Sequence, residues 1–261
     1  MTMTFRADSD IQWPYGFFES NQQGGPEQQV ENYARGKTKL VAWFVSNCET
    51  ESKREKYVEN LKKYIQVDVY GKCGEHVCWA GEQEECYDML EKDYKFYLSF
   101  ENAFCRDYVT EKFFQLANRR IVPIVYGAGN YSSIAPNHSF IDATKMGAKK
   151  LAELLKTLDA DDRLYNEYFQ WKSNFKVTAD RRSIANKAFC QLCQLLHSQP
   201  ANNWQVYQNF DGWWNRENHC HSSGIFVTPF KTFSFYDINV TDFRPMTNER
   251  HLESTNSLQD L

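Results

Sequence analysis

The feature that most constrains the fold is an alternation of strand-like apolar runs and helical segments between residues 39 and 158. It opens with KLVAWFVSNC (residues 39–48), a continuous apolar run typical of a strand covered on both faces. Ser52 and Glu55 have the spacing of a capping box, which predicts the start of a helix, and residues 67–71 (VDVYG) predict the next strand. A β-α-β unit of this kind belongs to a parallel sheet.

The alternation continues towards the C-terminus. Residues 72–93 predict a loop with a short helix, and residues 94–101 place aromatic and apolar side chains on one face of a strand. Thr110 is a predicted N-cap, so that Glu111 and Lys112 fall in the first helical turn. Further strands are predicted at 121–126 and 139–141, and further helices at 148–158, 159–172 and 183–197. The whole pattern predicts a Rossmann-like, doubly wound α/β domain.

Composition argues against two broad classes of function. A formal net charge of −4 provides no basic surface for nucleic acid. The longest clean apolar run, residues 40–45, is far shorter than the roughly 20 residues of a membrane span. Residues 1–8 lack the apolar segment of a signal peptide, so we expect no targeting segment in this chain.

Cysteines and sequons favour a secretory compartment. The chain has eight cysteines, and paired cysteines are typical of oxidising compartments. It also has N-glycosylation sequons at Asn130, Asn137 and Asn239.

Two cations mark a candidate anion site. Ligands of an open parallel sheet bind beyond the carboxyl ends of its strands, and Arg54 and Lys112 each lie near the start of a helix that follows a strand. A lysine gains nothing from the positive end of a helix dipole, so we expect Lys112 to serve an anion. Two cations over helix N-termini suit a diphosphate. Neither G-x-G-x-x-G nor a P-loop motif occurs, which argues against dinucleotide oxidoreductases and P-loop enzymes.

Longer motifs identify a family. VSNC and SKREKYVENLKKYIQVDVYGKCG (within 45–74), YKFYLSFENAFCRDYVTEKFFQLA (94–117), VPIVYG (122–127), APNHSFID (135–142) and LYNEYFQWK (164–172) follow one another. In this order they closely resemble α1,3-fucosyltransferases that use GDP-fucose, and the resemblance covers about residues 2–197.

The resemblance implies a two-domain GT-B glycosyltransferase of which this chain is the C-terminal, donor-binding half. The reaction would be inverting transfer of L-fucose from GDP-fucose to N-acetylglucosamine of a glycoprotein N-glycan. Family members are type II membrane proteins of the Golgi, with the catalytic part in the lumen. Their anchor and stem, and nearly all of their acceptor domain, would lie outside this chain. The alternative is a truncated, inactive product that binds GDP-fucose or only associates with other chains.

The resemblance also divides the chain. Residues 1–37 would be the segment that crosses between domains plus a polar linker around Gly24-Gly25-Pro26, and 38–200 the GDP-fucose-binding domain. Residues 201–261 would be a partly irregular C-terminal extension. Because the first sixteen residues would have lost their partner domain, we expect an exposed aromatic patch that comprises Trp13, Tyr15, Phe17 and Phe18.

Carried over by position, Arg54 and Lys112 match the residues that hold the diphosphate. Glu111 and Tyr108 match those around the ribose and fucose, and Asn102 closes the same rim. In the family the general base belongs to the acceptor domain, so the catalytic residue of this chain is unknown. Glu101 is the first alternative. No metal cofactor is expected, and Mn²⁺ would act at most as a stimulant.

Other patterns leave alternatives open. Asp8-Ser9-Asp10 and Asp159-Ala160-Asp161 have the D-x-D form that binds Mn²⁺ in other glycosyltransferases, but the second is also expected to cap a helix. Cys190-x-x-Cys193 with Cys220 between two histidines has zinc-like spacing. The resemblance instead favours disulfides near the C-terminus, so Cys190, Cys193 and Cys220 are disulfide candidates, with free thiols as the remaining possibility.

Overall fold

The computed structural model describes residues 1–21, 31–78, 83–198, 208–214 and 220–221. The strands are β1 (Met3–Thr4), β2 (Ile11–Gln12), β3 (Phe17–Ser20), β4 (Lys39–Phe44), β5 (Val67–Tyr70), β6 (Tyr94–Phe100), β7 (Phe104–Cys105), β8 (Val122–Tyr126), β9 (Ile141–Asp142), β10 (Phe175–Thr178) and β11 (Cys220–His221). The α-helices are α1 (Arg54–Leu61), α2 (Gln83–Asp93), α3 (Glu111–Ala117), α4 (Tyr131–Ile134), α5 (Ala148–Ala160), α6 (Asp162–Asn166), α7 (Arg181–Ser198) and α8 (Phe210–Trp214). Turns of 3₁₀ helix lie at Ala143–Lys145 and Glu167–Ser173.

A five-stranded parallel sheet forms the centre, in the order β5-β4-β6-β8-β9. Helices α1 and α5 pack together on one face, and α2 and α3 cover the other. The predicted doubly wound α/β fold is therefore confirmed. The chain runs outwards from β4 to β5 and then returns to β6 on the other side of β4. The boundary between β4 and β6 is thus the switch point at which such folds bind ligands.

Strand β6 is buried along its whole length. All seven of its residues are buried, including Tyr94, Phe96 and Phe100, which are at most 1% exposed. The strand predicted at residues 94–101 is confirmed, and side chains on both of its faces are buried. A central strand between two helical layers has no solvent face, so its polar residues must find partners inside the protein.

Helix α1 begins one residue later than the capping-box pattern indicates. Its N-cap is Lys53, in the left-handed region at φ 51°, and it has no side-chain cap. Ser52 instead donates through Oγ to the Glu101 carbonyl at 2.7 Å and through its backbone N–H to the Asn102 carbonyl at 3.0 Å. Contacts to the end of β6 replace the predicted local cap.

The N-terminal segment packs against the α/β domain. Strand β3 pairs antiparallel with β10, and Phe18 contacts the rings of Phe113, Phe114 and Trp171. Gly16 lies against Phe114, where an added Cβ would come within 2.3 Å of the ring. Residues 16–20 therefore pack against α3, Trp171 and β10. The loss of a partner domain by the first sixteen residues stays a prediction.

The predicted aromatic patch is only partly formed. Trp13 and Tyr15 are 38% and 39% exposed, although Trp13 contacts Phe189 of α7. Phe17 and Phe18 are half-buried.

Some predictions fall outside the described residues. They include most of the linker, most of the C-terminal extension, and Asn239. The domain boundaries at 37 and 200 remain predictions. Within the described ranges, no helix is both long enough and apolar enough to cross a bilayer.

Candidate functional site

Arg54 joins the two strands that flank the switch point. It is the first residue of α1 and is 2% exposed. Its guanidinium donates to the Phe100 carbonyl at the end of β6, at 2.6 Å, and to the Asn47 carbonyl beyond β4, at 3.2 Å. Arg54 thus links the carboxyl ends of β4 and β6 beneath the candidate site.

Lys112 lies in the first turn of α3, beyond the carboxyl end of β6. Thr110 is the N-cap, as predicted, but its side chain does not cap the helix. The Lys112 Nζ lies 2.8 Å from Thr110 Oγ1, 3.2 Å from a Glu111 carboxylate oxygen and 3.4 Å from a Glu101 carboxylate oxygen. Burial opposes the charged form of Lys112, but the Glu101 and Glu111 carboxylates outweigh it and raise the pKa of the ammonium.

Glu101 is the carboxylate beneath this lysine. It directly follows β6, is fully buried, and accepts hydrogen bonds from the backbone N–H and the hydroxyl of Thr110. Burial raises the pKa of its carboxyl, while Lys112 and the Thr110 donors pull the pKa in the opposite direction. A carboxylate so enclosed has no open path to an acceptor hydroxyl, which argues against Glu101 as the general base.

A cavity of about 460 Å³ opens over these groups. Arg54, Asn102, Glu111 and Lys112 line it together, so the structure brings four of the five predicted donor-binding residues to one cavity. Tyr108 lies on an adjoining cavity of about 530 Å³, which also contacts Asn102. The binding roles of all five residues remain predictions.

Two buried polar atoms of this cavity lack a hydrogen-bond partner in the described part of the chain. They are Arg54 Nε and Asn102 Oδ1. Buried polar atoms normally have partners, and an orphaned donor beside an ammonium and a helix N-terminus suits an anionic oxygen.

Three disulfides lie around the carboxyl edge of the sheet. Cys48–Cys73 joins the segments that follow β4 and β5, Cys78–Cys86 lines the 460 Å³ cavity, and Cys105–Cys220 fastens the segment after β6 to β11.

Cys190 and Cys193 are not bridged. Both are exposed free cysteines on α7, so the expectation of disulfides at these two positions is wrong. The other six cysteines of the chain pair with one another, and α7 directs these two thiols to solvent. Cys220, the third candidate, is bridged to Cys105.

The acidic D-x-D patterns have other partners. Asp8 forms an ion pair with Arg6, Asp159 pairs with Lys95, and Asp161 caps α6. No group of three or more metal-binding side chains occurs among the residues that the structure describes. Asn130 and Asn137 are both exposed on the segment after β8.

Sequence reasoning missed the position of Glu101 beneath Lys112 and two of the disulfides. A signal was available for Glu101 and for one of these disulfides, Cys48–Cys73. An acid directly after a fully apolar strand indicates a buried carboxylate at the strand end. Cys48 and Cys73 each follow one of two neighbouring parallel strands by a few residues, so both lie at the same sheet edge.

Cations and a helix N-terminus at the switch point of a doubly wound sheet are typical of α/β domains that hold the phosphates of nucleotides. The family model described as glycosyltransferase family 10 (fucosyltransferase), C-terminal part, matches residues 34–213. The chain belongs to glycosyltransferase family 10, the fucosyltransferases, as the motif resemblance predicted.

Individual relatives extend beyond this chain. Alpha-(1,3)-fucosyltransferase C of Drosophila melanogaster is 40% identical over 233 residues, which is 82% of this chain and 53% of the relative. Glycoprotein 3-alpha-L-fucosyltransferase A of the same organism is 42% identical over 227 residues, 84% of this chain and 44% of the relative. A crystal structure of an alpha1,3-fucosyltransferase with GDP-fucose superposes on 67% of this chain and 50% of that chain, at 16% identity and a TM-score of 0.47. The chain spans about half the length of the curated relatives it matches.

Proposed function

We propose that this chain is the donor-binding half of an α1,3-fucosyltransferase and that its cavity binds GDP-fucose. The observation that supports this most directly is the position of Lys112. Its ammonium lies at a helix N-terminus over the switch point, in one cavity with Arg54. Membership of the fucosyltransferase family gives the nucleotide-sugar class.

The residues suit the departure of GDP. As the bond from fucose to the diphosphate breaks, negative charge grows on the β-phosphate. Lys112, in the first turn of α3, stabilises that charge from one side, and Arg54 fixes the strand ends beneath it. Glu111, 47% exposed in its side chain and at the mouth of the same cavity, is placed to accept hydrogen bonds from ribose hydroxyls.

Donor recognition should be selective for guanine nucleotides, in line with the motif resemblance. It should also be independent of metal, because the two cations take the place that Mn²⁺ has in other glycosyltransferases. Calorimetric titration of the chain with GDP, UDP and ADP in EDTA tests this. Tighter binding of GDP than of the other two is expected. Equal affinities, or no GDP binding, would refute the donor assignment, and a requirement for Mn²⁺ would refute metal independence.

The acceptor we propose is N-acetylglucosamine of a glycoprotein N-glycan, in line with a relative named as a glycoprotein 3-alpha-L-fucosyltransferase. A second candidate is nucleotide-sugar binding without transfer by this chain. The engagement of Glu101 with Thr110 and Lys112 favours the second candidate, since it removes the first alternative base within this chain from the reaction. An assay of fucose transfer from radiolabelled GDP-fucose to glycans that expose core or outer N-acetylglucosamine distinguishes the two candidate functions. Labelled glycan supports transfer, and its absence supports binding without transfer.

We further propose that the protein works in the Golgi lumen. Three disulfides support an oxidising compartment. Protease protection of the full-length protein in sealed Golgi vesicles would support this location, and digestion without detergent would oppose it.

A further inference from the structure

Glu101 is a buried acid that the proposed reaction does not use. It is 0% exposed and contacts Thr110 and Lys112 beneath the cavity. An ionised carboxylate in such a place needs a charge partner, because burial without one is strongly unfavourable. That partner is Lys112, whose Nζ lies 3.4 Å from Glu101 Oε2.

The charges around Glu101 balance before any ligand arrives. Arg54 and Lys112 are the cations that act on it, and Glu111 is the second carboxylate on the Lys112 ammonium. The phenols of Tyr15, Tyr108 and Tyr131 also face it electrostatically and stay neutral, since burial raises the pKa of each. A diphosphate in the cavity adds several negative charges to this balanced set and competes with Glu101 for Lys112.

The contacts of Glu101 suit both of its protonation states. Thr110 Oγ1 lies 3.0 Å and 2.9 Å from the two carboxylate oxygens, and the Thr110 backbone N–H lies 2.8 Å from Oε1. A hydroxyl both donates and accepts. A protonated Oε2 can therefore donate to Thr110 Oγ1 while Oε1 keeps its bond from the backbone N–H, with no movement of the chain.

We propose that Glu101 is a positioning residue that takes up a proton from solvent when a diphosphate binds, so that Lys112 passes from the Glu101 carboxylate to the phosphate. The proposal rests on the diphosphate site proposed above. The burial that raises the pKa of Glu101 brings it closer to neutral pH even before binding. The added anion acts in the same direction.

The sign of the pH dependence follows. Where Glu101 is ionised, GDP binding must either bring the phosphate beside a carboxylate or draw in a proton, so GDP binds more weakly as the pH rises. The isosteric variant Glu101→Gln lacks this cost. It should bind GDP more tightly than the native chain where Glu101 is ionised, by about tenfold for a pKa change of one on binding, and this difference should shrink as the pH falls.

Calorimetry in buffers of different ionisation enthalpy measures the proton directly. The native chain should take up more protons per GDP bound than Glu101→Gln, by up to one. Ionisation of GDP itself cancels in this comparison. Glu153→Gln, an exposed carboxylate on α5, should behave as the native chain does.

The native chain also permits a test that does not depend on the variant folding. Infrared difference spectra with ¹³C-labelled glutamate should show a protonated-carboxyl band when GDP is added and none with guanosine. Equal proton uptake by native and Glu101→Gln chains, or a GDP complex without that band, would overturn the proposal while leaving the donor site intact. No GDP binding by the native chain would overturn both.

Discussion

Arg54 and Lys112 were predicted as a pair, yet the structure gives them different surroundings. Two nitrogens of Arg54 donate hydrogen bonds to backbone carbonyls, whereas the Lys112 side chain is 20% exposed and lines the cavity. Substitution of Lys112 should therefore reduce mainly GDP affinity, whereas substitution of Arg54 should reduce stability as well.

Lys112→Ala should weaken GDP far more than guanosine, because only the diphosphate loses a partner. A charge-assisted hydrogen bond contributes roughly 1.5–3 kcal/mol, or about 10–150-fold in affinity. Titration calorimetry with both ligands measures this, with Lys150→Ala on α5 as the exposed-lysine control. An equal loss for GDP and guanosine would show that Lys112 is structural.

Arg54→Ala should reduce stability as well as GDP affinity. It leaves the buried Phe100 carbonyl and the carbonyl of the exposed Asn47 without this donor, and an unsatisfied buried group costs roughly 1–3 kcal/mol. Urea unfolding of the variant should show a lower midpoint than that of Lys112→Ala. A variant as stable as the native chain would mean that these carbonyls find other donors.

Lys172 predicts a pH dependence of stability. Burial lowers its pKa from 10.5 to about 8, and its Nζ donates to the Ala117 carbonyl at 3.0 Å. Between these two pKa values the unfolded chain binds the proton and the folded chain does not, so stability rises with pH in that window. Relative to Lys172→Met, the unfolding free energy of the native chain should rise by up to about 3 kcal/mol across it and stay flat below about pH 8. Denaturant titrations at several pH values measure the difference, and a constant difference would contradict the prediction.

At the scale of elements, periodicity predicted the sheet well. Apolar runs gave β4, β5, β6 and β8, because a strand buried on both faces requires them. The predicted start of α1 failed because Ser52 binds the end of β6, which lies some 50 residues further along the chain. A local pattern carries no information about such a partner. The same reason explains why the contact between Glu101 and Lys112 had to be seen in the structure.

The Cys48–Cys73 disulfide should stabilise the rim of the site. It closes a segment with a sequence separation of 25, for which the chain-entropy model gives about 3.5 kcal/mol. The double variant Cys48→Ser, Cys73→Ser should therefore unfold at lower temperature and bind GDP more weakly. Cys190→Ser with Cys193→Ser is the matched control, since both thiols are free and exposed. Equal thermal midpoints for the two double variants would contradict this.

At the scale of the whole molecule, we expect GDP binding without transfer from this chain alone. Loss of an acid–base group costs roughly 10²–10⁴-fold, and here the acceptor site is also expected on the other domain. A fucosyl transfer assay with and without an added acceptor domain tests this. Rates of about 1 s⁻¹ or more from the chain alone would refute it.

The pairing of Cys105 with Cys220 has a consequence for the order in which the protein is completed during synthesis. At roughly 5–20 residues per second, the 115 residues that separate them take roughly 6–23 seconds to emerge, whereas Cys73 follows Cys48 within about 5 seconds. One side of the rim can therefore be locked while the ribosome is still translating the α/β domain. The segment after β6 can form its disulfide only after Cys220 has been synthesised, so a nascent chain released before residue 220 lacks that bond.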